Sequence, residues 1–262
     1  MKTMNNRQFL ICGLCLLLVA TCFWGCKPER IETGKPMDVD GNVYDTVRIG
    51  NQTWMAQDLL VTHLPDKTPL QRFGIRQSAP AFTTYGNKML YNSFAAQYGA
   101  NSGDAYIQGI CPDGWHLPSS DEYQQMIEYV ATHPERWDIS GSVSRAMASQ
   151  QWGGSTSSAS FNQTGFSALP TGYVHSYDSH SDIGDNRWTE RGNAYYWCAD
   201  HNDYYPRPNT NPGYPGTPNW GVYGTDSLEI QSFVLLLDIN REEPEISSLP
   251  DIHYCAVRCV KD

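Results

Sequence analysis

The stretch Cys111-Pro-Asp-Gly-Trp-His-Leu-Pro-Ser-Ser-Asp-Glu-Tyr-Gln-Gln-Met-Ile-Glu-Tyr-Val130 carries the most explicit local instructions in the chain. Ser119 followed by Glu122 is a capping box, in which each side chain satisfies a backbone N–H at the other's position, so a helix is expected to begin there. Tyr123, Met126, Ile127 and Val130 recur at helical spacing and form one apolar stripe that needs a core to pack on, and Pro134 stops the run. Upstream, Pro112 and Asp113-Gly114 mark a tight turn, which makes Trp115-His116-Leu117 a short extended segment feeding the helix. A single histidine between two apolar residues reads as a structural group rather than a ligand or a base.

Working outward, the N-terminus looks like a targeting segment. Lys2 and Arg7 give a positive start, Phe9 to Ala20 is an apolar run too short to span a bilayer, and Gly25 stands directly before Cys26. Residues 1–25 are expected to be a lipoprotein signal peptide, with Cys26 lipidated and 26–37 a tether, although Trp24 stands where a small residue is usual. One domain, 38–262, would follow. The chain carries 18 Lys+Arg against 28 Asp+Glu, a net charge of −10, and losing Lys2 and Arg7 makes it more negative still. Nucleic acid and anionic lipid surfaces would be repelled, so neither is an expected partner beyond the lipid anchor itself.

The cysteines bear on the fold. Cys12, Cys15 and Cys22 belong to the signal and Cys26 to the anchor, leaving Cys111, Cys198, Cys255 and Cys259. Four cysteines in an exported chain suggest two disulfides. Cys255 and Cys259 share one face of a strand-like run but lie roughly 13 Å apart at 3.3 Å per residue, too far to bridge each other.

Along the chain, Asp40-Gly41-Asn42 and Gly50-Asn51 are turns that divide 38–56 into a hairpin and a third extended segment. The glycine position and the missing twelfth-position Glu exclude an EF-hand around Asp38. Residues 57–68 are expected to be irregular and 71–84 a loop. Met89 to Ala96 should be buried, and Ala194 to Ala199 should be a strand of bulky residues. Residues 200–224 hold five prolines and form a long excursion. Leu228 to Asp238 returns to strand, central because it is apolar on both faces. An acidic loop is expected over 242–251, and Tyr254 to Val260 closes the sheet.

Four segments in order resemble one family. They are Asp40-Gly-Asn-Val-Tyr44 with Val47-Arg-Ile-Gly50 and Gln52-Thr-Trp-Met-Ala56, then Cys111-Pro-Asp-Gly-Trp-His-Leu-Pro-Ser119, Gly165-Phe-Ser-Ala-Leu-Pro-Thr-Gly-Tyr173, and Val257-Arg-Cys-Val260. Together they resemble the Fibrobacter succinogenes major paralogous domain, found on exported bacterial proteins and frequently on lipoproteins. More distantly, Gly114 to Tyr123 resembles a signature of the formylglycine-generating and sulfatase-modifying group. Both resemblances imply an α+β, C-type-lectin-like fold, with small twisted antiparallel sheets, one or two helices and long irregular loops. Lectin-type domains join the first cysteine to the last and pair the inner two, which implies Cys111–Cys259 and Cys198–Cys255.

An enzymatic reading would need the oxidase chemistry of the formylglycine-generating group, whose site resembles a reactive cysteine pair holding copper. Cys255-x3-Cys259 has the wrong spacing for it. His63, His116, His133, His175, His180, His201 and His253 are scattered without a ligand pattern, and there is no phosphate loop, nucleophile elbow or HExxH sequence. Binding is the better expectation: an exported, lipid-anchored, cell-surface module that meets a carbohydrate or protein ligand through the loops after Trp197. Candidate ligand-binding residues are Trp188, Asp200, Asn202, Asp203, Tyr204, Tyr205 and Trp220, since aromatic faces stack on sugars. Clustered carboxylate and amide oxygens there would suit Ca²⁺, though the Glu-Pro-Asn and Trp-Asn-Asp signatures of calcium-dependent lectins are absent. Trp197 itself is expected in the core. The alternative is a structural or fimbria-associated surface subunit.

Overall fold

A computed structural model describes residues 34–72, 79–100, 106–139, 142–153, 159–174, 192–201, 231–251 and 253–262. Lys35–Asp262 form one compact unit of mixed α+β type. Its elements are β1 (Thr46–Ile49), β2 (Gln52–Met55), β3 (Gln71–Arg72), β4 (Ala81–Tyr85), β5 (Lys88–Tyr91), α1 (Ser93–Ala96), β6 (Trp115–His116), α2 (Ser120–Thr132), α3 (Val143–Met147), a 3-10 turn (Gln150–Gly153), β7 (Ala194–His201), β8 (Gln231–Leu237), β9 (Glu245–Pro250) and β10 (Val260–Lys261).

The strands make three small sheets, ordered β1-β2-β10-β6, β3-β4-β5 and β7-β8-β9, and all pairs are antiparallel except β3 with β4. The run 254–260 ties them together. Cys255 bridges Tyr91 at the end of β5, Ala256 bridges Tyr196 in β7, and Val260 pairs with Trp54 in β2. Because side chains alternate along extended chain, this run feeds two apolar clusters on opposite sides. Cys255, Val257 and Cys259 join Met55, Tyr91, Trp115 and Trp197. Ala256 and Val260 join Trp54, Leu90, Tyr123, Phe166 and Tyr196. The neighbouring pairs Trp54/Met55, Leu90/Tyr91 and Tyr196/Trp197 are split between the same two clusters.

Helix α2 follows its sequence signal. Both halves of the Ser119/Glu122 capping box are present, and Tyr123, Met126, Ile127 and Val130 are the buried stripe. Trp197 is fully buried, as expected of a core residue, and its Nε1 donates to the Tyr91 carbonyl at 2.6 Å. Asp38 is spent on its own turn, where Oδ1 accepts from the backbone N–H of Asp40 and of Asn42, each at 3.0 Å. Gly109 illustrates a residue dictated by space, since its φ is +61° and a Cβ there would lie 1.9 Å from the Ala96 carbonyl oxygen.

Two expected loops are strands. Within 71–84, β4 forms a hairpin with β5 through Gly86-Asn87, and Gly86 supplies the positive φ that such a two-residue turn requires. Within 242–251, β9 pairs along β8 from Glu245 to Pro250. Its Ile-Ser-Ser-Leu sequence has little strand preference of its own, and the ladder to β8 supplies the order, as is common at a sheet edge.

Candidate functional site

Among the described residues, a dense polar cluster surrounds the N-terminus of α2. His116 Nδ1 lies 3.0 Å from Asp262 Oδ1 and its Nε2 lies 2.9 Å from Glu122 Oε1, so the ring clamps β6, the helix and the chain end together. Tyr106 also donates to Asp262. Burial pushes the Glu122 carboxyl up, but hydrogen bonds from His116 and Ser119 outweigh it and hold the group below its usual value. The expectation that His116 is structural fits this arrangement, in which both ring nitrogens are occupied. Asp200, a sequence candidate for ligand binding, lies beside the same helix end. Its Oδ1 accepts from the Ser120 backbone N–H at 2.7 Å and its Oδ2 from the Ser120 hydroxyl, so both oxygens are engaged within the fold. A carboxylate there also complements the positive end of the helix dipole. The other candidates, Trp188, Asn202, Asp203, Tyr204, Tyr205 and Trp220, lie outside the described residues, as does the lipidation candidate Cys26. Among the described residues no group of three or more His, Cys, Asp or Glu side chains converges to hold a metal.

The disulfide expectation divides. Cys111–Cys259 is formed, with Cα atoms 5.9 Å apart. Cys198–Cys255 is not, and both residues are buried free thiols. Strand parity explains the correction. Tyr196 pairs with Ala256, which places Cys198 in the cluster of Tyr123 and Phe166 while Cys255 points into the cluster of Tyr91 and Trp197. Two sulfurs on opposite faces cannot meet without turning a strand over.

A second polar centre was not legible in the sequence. Arg258 is fully buried, pairs with Asp58 through Nη2, donates from Nη1 to the Phe166 carbonyl, and stacks 4.4 Å from the Phe166 ring and 5.1 Å from that of Tyr196. The Tyr196 hydroxyl donates to Asp58 Oδ1 at 3.1 Å, whereas Asp58 Oδ2 has no partner among the described residues. Asp58 also lines a cavity of about 230 Å³, together with Asn87, Lys88, Gln151, Ser167 and Leu169. These residues come from the segment after β2, the β4–β5 turn, the 3-10 turn and the Gly165–Tyr173 motif. Ser167 holds φ at +59°. A non-glycine residue there stores on the order of 1–3 kcal/mol of backbone strain, and such positions concentrate at functional sites. The sequence signals here are the Gly165–Tyr173 motif and Val257-Arg-Cys-Val260, which contains Arg258, and neither names a ligand.

A family model, the Fibrobacter succinogenes major domain, matches residues 47–261. The chain belongs to that family. The match takes in β2 through β10, all of β1 but Thr46, the disulfide and the cavity residues, whereas Asp262 of the α2 cluster lies one residue beyond it. No curated protein and no solved structure matched the chain.

Proposed function

We propose that this chain is an exported, lipid-anchored binding module of the cell surface, non-catalytic, whose domain is C-type-lectin-like and whose ligand is a carbohydrate or a surface protein. The observation that carries this reading is the pairing of β7 with β8. His201 is in register with Ser232, so the chain leaves one strand and re-enters the next at the same end of the sheet. Asp200 fastens that end to α2. Residues 202–230, rich in proline, tyrosine, asparagine and glycine, thus join two paired strands of the scaffold, the arrangement in which recognition segments commonly occur. The lectin-like assignment draws support from the few helices, the small antiparallel sheets and a bridge joining Cys111 to Cys259. The signal-like start ending at Gly25-Cys26 supports the anchor.

Glycan-array and surface-protein screening of the full chain, with and without Ca²⁺, tests the reading. Binding that disappears on Trp220→Ala is expected; fibre assembly with no ligand bound would instead favour a structural subunit, for which the edge strand β9 offers a pairing surface. Loss of fatty-acid labelling in Cys26→Ala is expected if the anchor is real, and unchanged labelling would remove it.

A further inference from the structure

We propose that the cavity beside Asp58 is a second binding site, lined by residues other than 202–230, and that it takes one acidic sugar residue, a uronate. Charge comes first. Asp58 is neutralised by Arg258, and Asp45, which the neighbouring Gln57 contacts, is neutralised by Lys35. Lys88 has no carboxylate partner among the described residues, so the cavity carries one uncompensated positive charge within an acidic protein. An occupant with a single negative charge satisfies it.

Hydrogen-bonding capacity comes second. The side chains of Asn87, Gln151 and Ser167 make no hydrogen bond within the described residues and offer two amides and a hydroxyl, each able both to donate and to accept. Alternating donors and acceptors suit a ring bearing several hydroxyls. An amino acid fits less well, because the one carboxylate among the described lining residues is already committed to Arg258 and Tyr196 and leaves no counter-ion for an ammonium group. Among the described residues no aromatic ring lines the cavity to stack a nucleobase. Size comes third: about 230 Å³ lies below the roughly 300–1,000 Å³ of pockets for drug-sized ligands, which limits the occupant to a single ring. Ser167, kept at positive φ, presents its hydroxyl from a backbone conformation that does not arise by default.

The site extends the binding-module reading without depending on the 202–230 segment, and the test separates the two. Sodium D-galacturonate and D-glucuronate, with D-galactose, D-glucose and inorganic phosphate as comparators, would be titrated into the full chain at low ionic strength by calorimetry and saturation-transfer NMR. Each uronate is expected to bind at least about tenfold more tightly than its neutral parent. Lys88→Met should bring that ratio to about one with an unchanged melting temperature, the combined Asn87→Ala and Gln151→Ala variant should weaken acid and neutral sugars alike, and Trp220→Ala should change none of this. The proposal is overturned if phosphate or the neutral sugars bind as well as the uronates, if Lys88→Met retains the preference, or if no uronate saturates the protein at concentrations of order 10 mM. Uronate binding lost in Trp220→Ala but kept in Lys88→Met would also sink the cavity while leaving the loop reading intact.

Discussion

The cluster at the start of α2 and the cavity beside Asp58 are both polar, and they differ in what is left over. At the helix, His116, Glu122, Asp262, Asp200 and Ser120 point at one another, and the groups that look most chemical in the sequence are consumed in holding β6, α2 and β7 together. At the cavity, Arg258 and Asp58 are likewise consumed, but Asn87, Lys88, Gln151 and Ser167 around them are not. Unspent hydrogen-bonding capacity, rather than the density of polar residues, separates a place that binds from a place that braces.

The contrast can be broken most forcefully at the covalent link beneath the helix. The Cys111–Cys259 bridge spans a sequence separation of 148 residues, for which the chain-entropy model gives about 5 kcal/mol. Cys111→Ser should lower the denaturation midpoint by a corresponding amount, measured against the wild type under non-reducing conditions, and reducing agent should abolish the difference. Next comes the ion pair behind the cavity. Arg258→Met leaves Asp58 buried without its counter-charge and should destabilise the protein by about 3–5 kcal/mol in chemical denaturation. Asp58→Leu added to it should recover a large part of that loss, because the cost lies in the unpaired charge.

The helix cluster is broken more gently. Ser119→Ala removes the cap acceptor and should cost about 1 kcal/mol. Glu122 adds a pH signature. Its carboxyl is depressed in the folded protein, so its stabilisation is complete above the ordinary carboxylate pKa and is lost as pH falls through the lower folded value. The stability gap between wild type and Glu122→Gln should therefore be widest near neutrality and close on acidification, with pH-dependent thermal melts as the readout. A gap that grew toward acid would contradict the hydrogen bonds assigned to that carboxylate.

Sequence reasoning captured α2 because its cap, stripe and stop signals are all local. It captured the buried Trp197 and the central β8 because bulky apolar runs have few other places to go. It missed β9, whose order comes from a partner strand rather than from Glu245 to Pro250 themselves. The second disulfide failed on a matter of parity, since spacing along a chain does not reveal which face Cys198 presents to Cys255. The cavity was invisible for a related reason. Asp58, Asn87, Gln151 and Ser167 are ordinary residues in four separate segments, and only the folded chain brings them together.

The two unpaired cysteines among the described residues have a practical use. Burial raises both thiols well above their ordinary pKa, and they sit in different apolar clusters, each fully buried. A small alkylating reagent therefore reaches Cys198 or Cys255 only when its own half of the interior opens. Cys198 and Cys255 thus act as a pair of chemical clocks, and comparing their labelling rates would tell whether the two halves come apart together or one at a time.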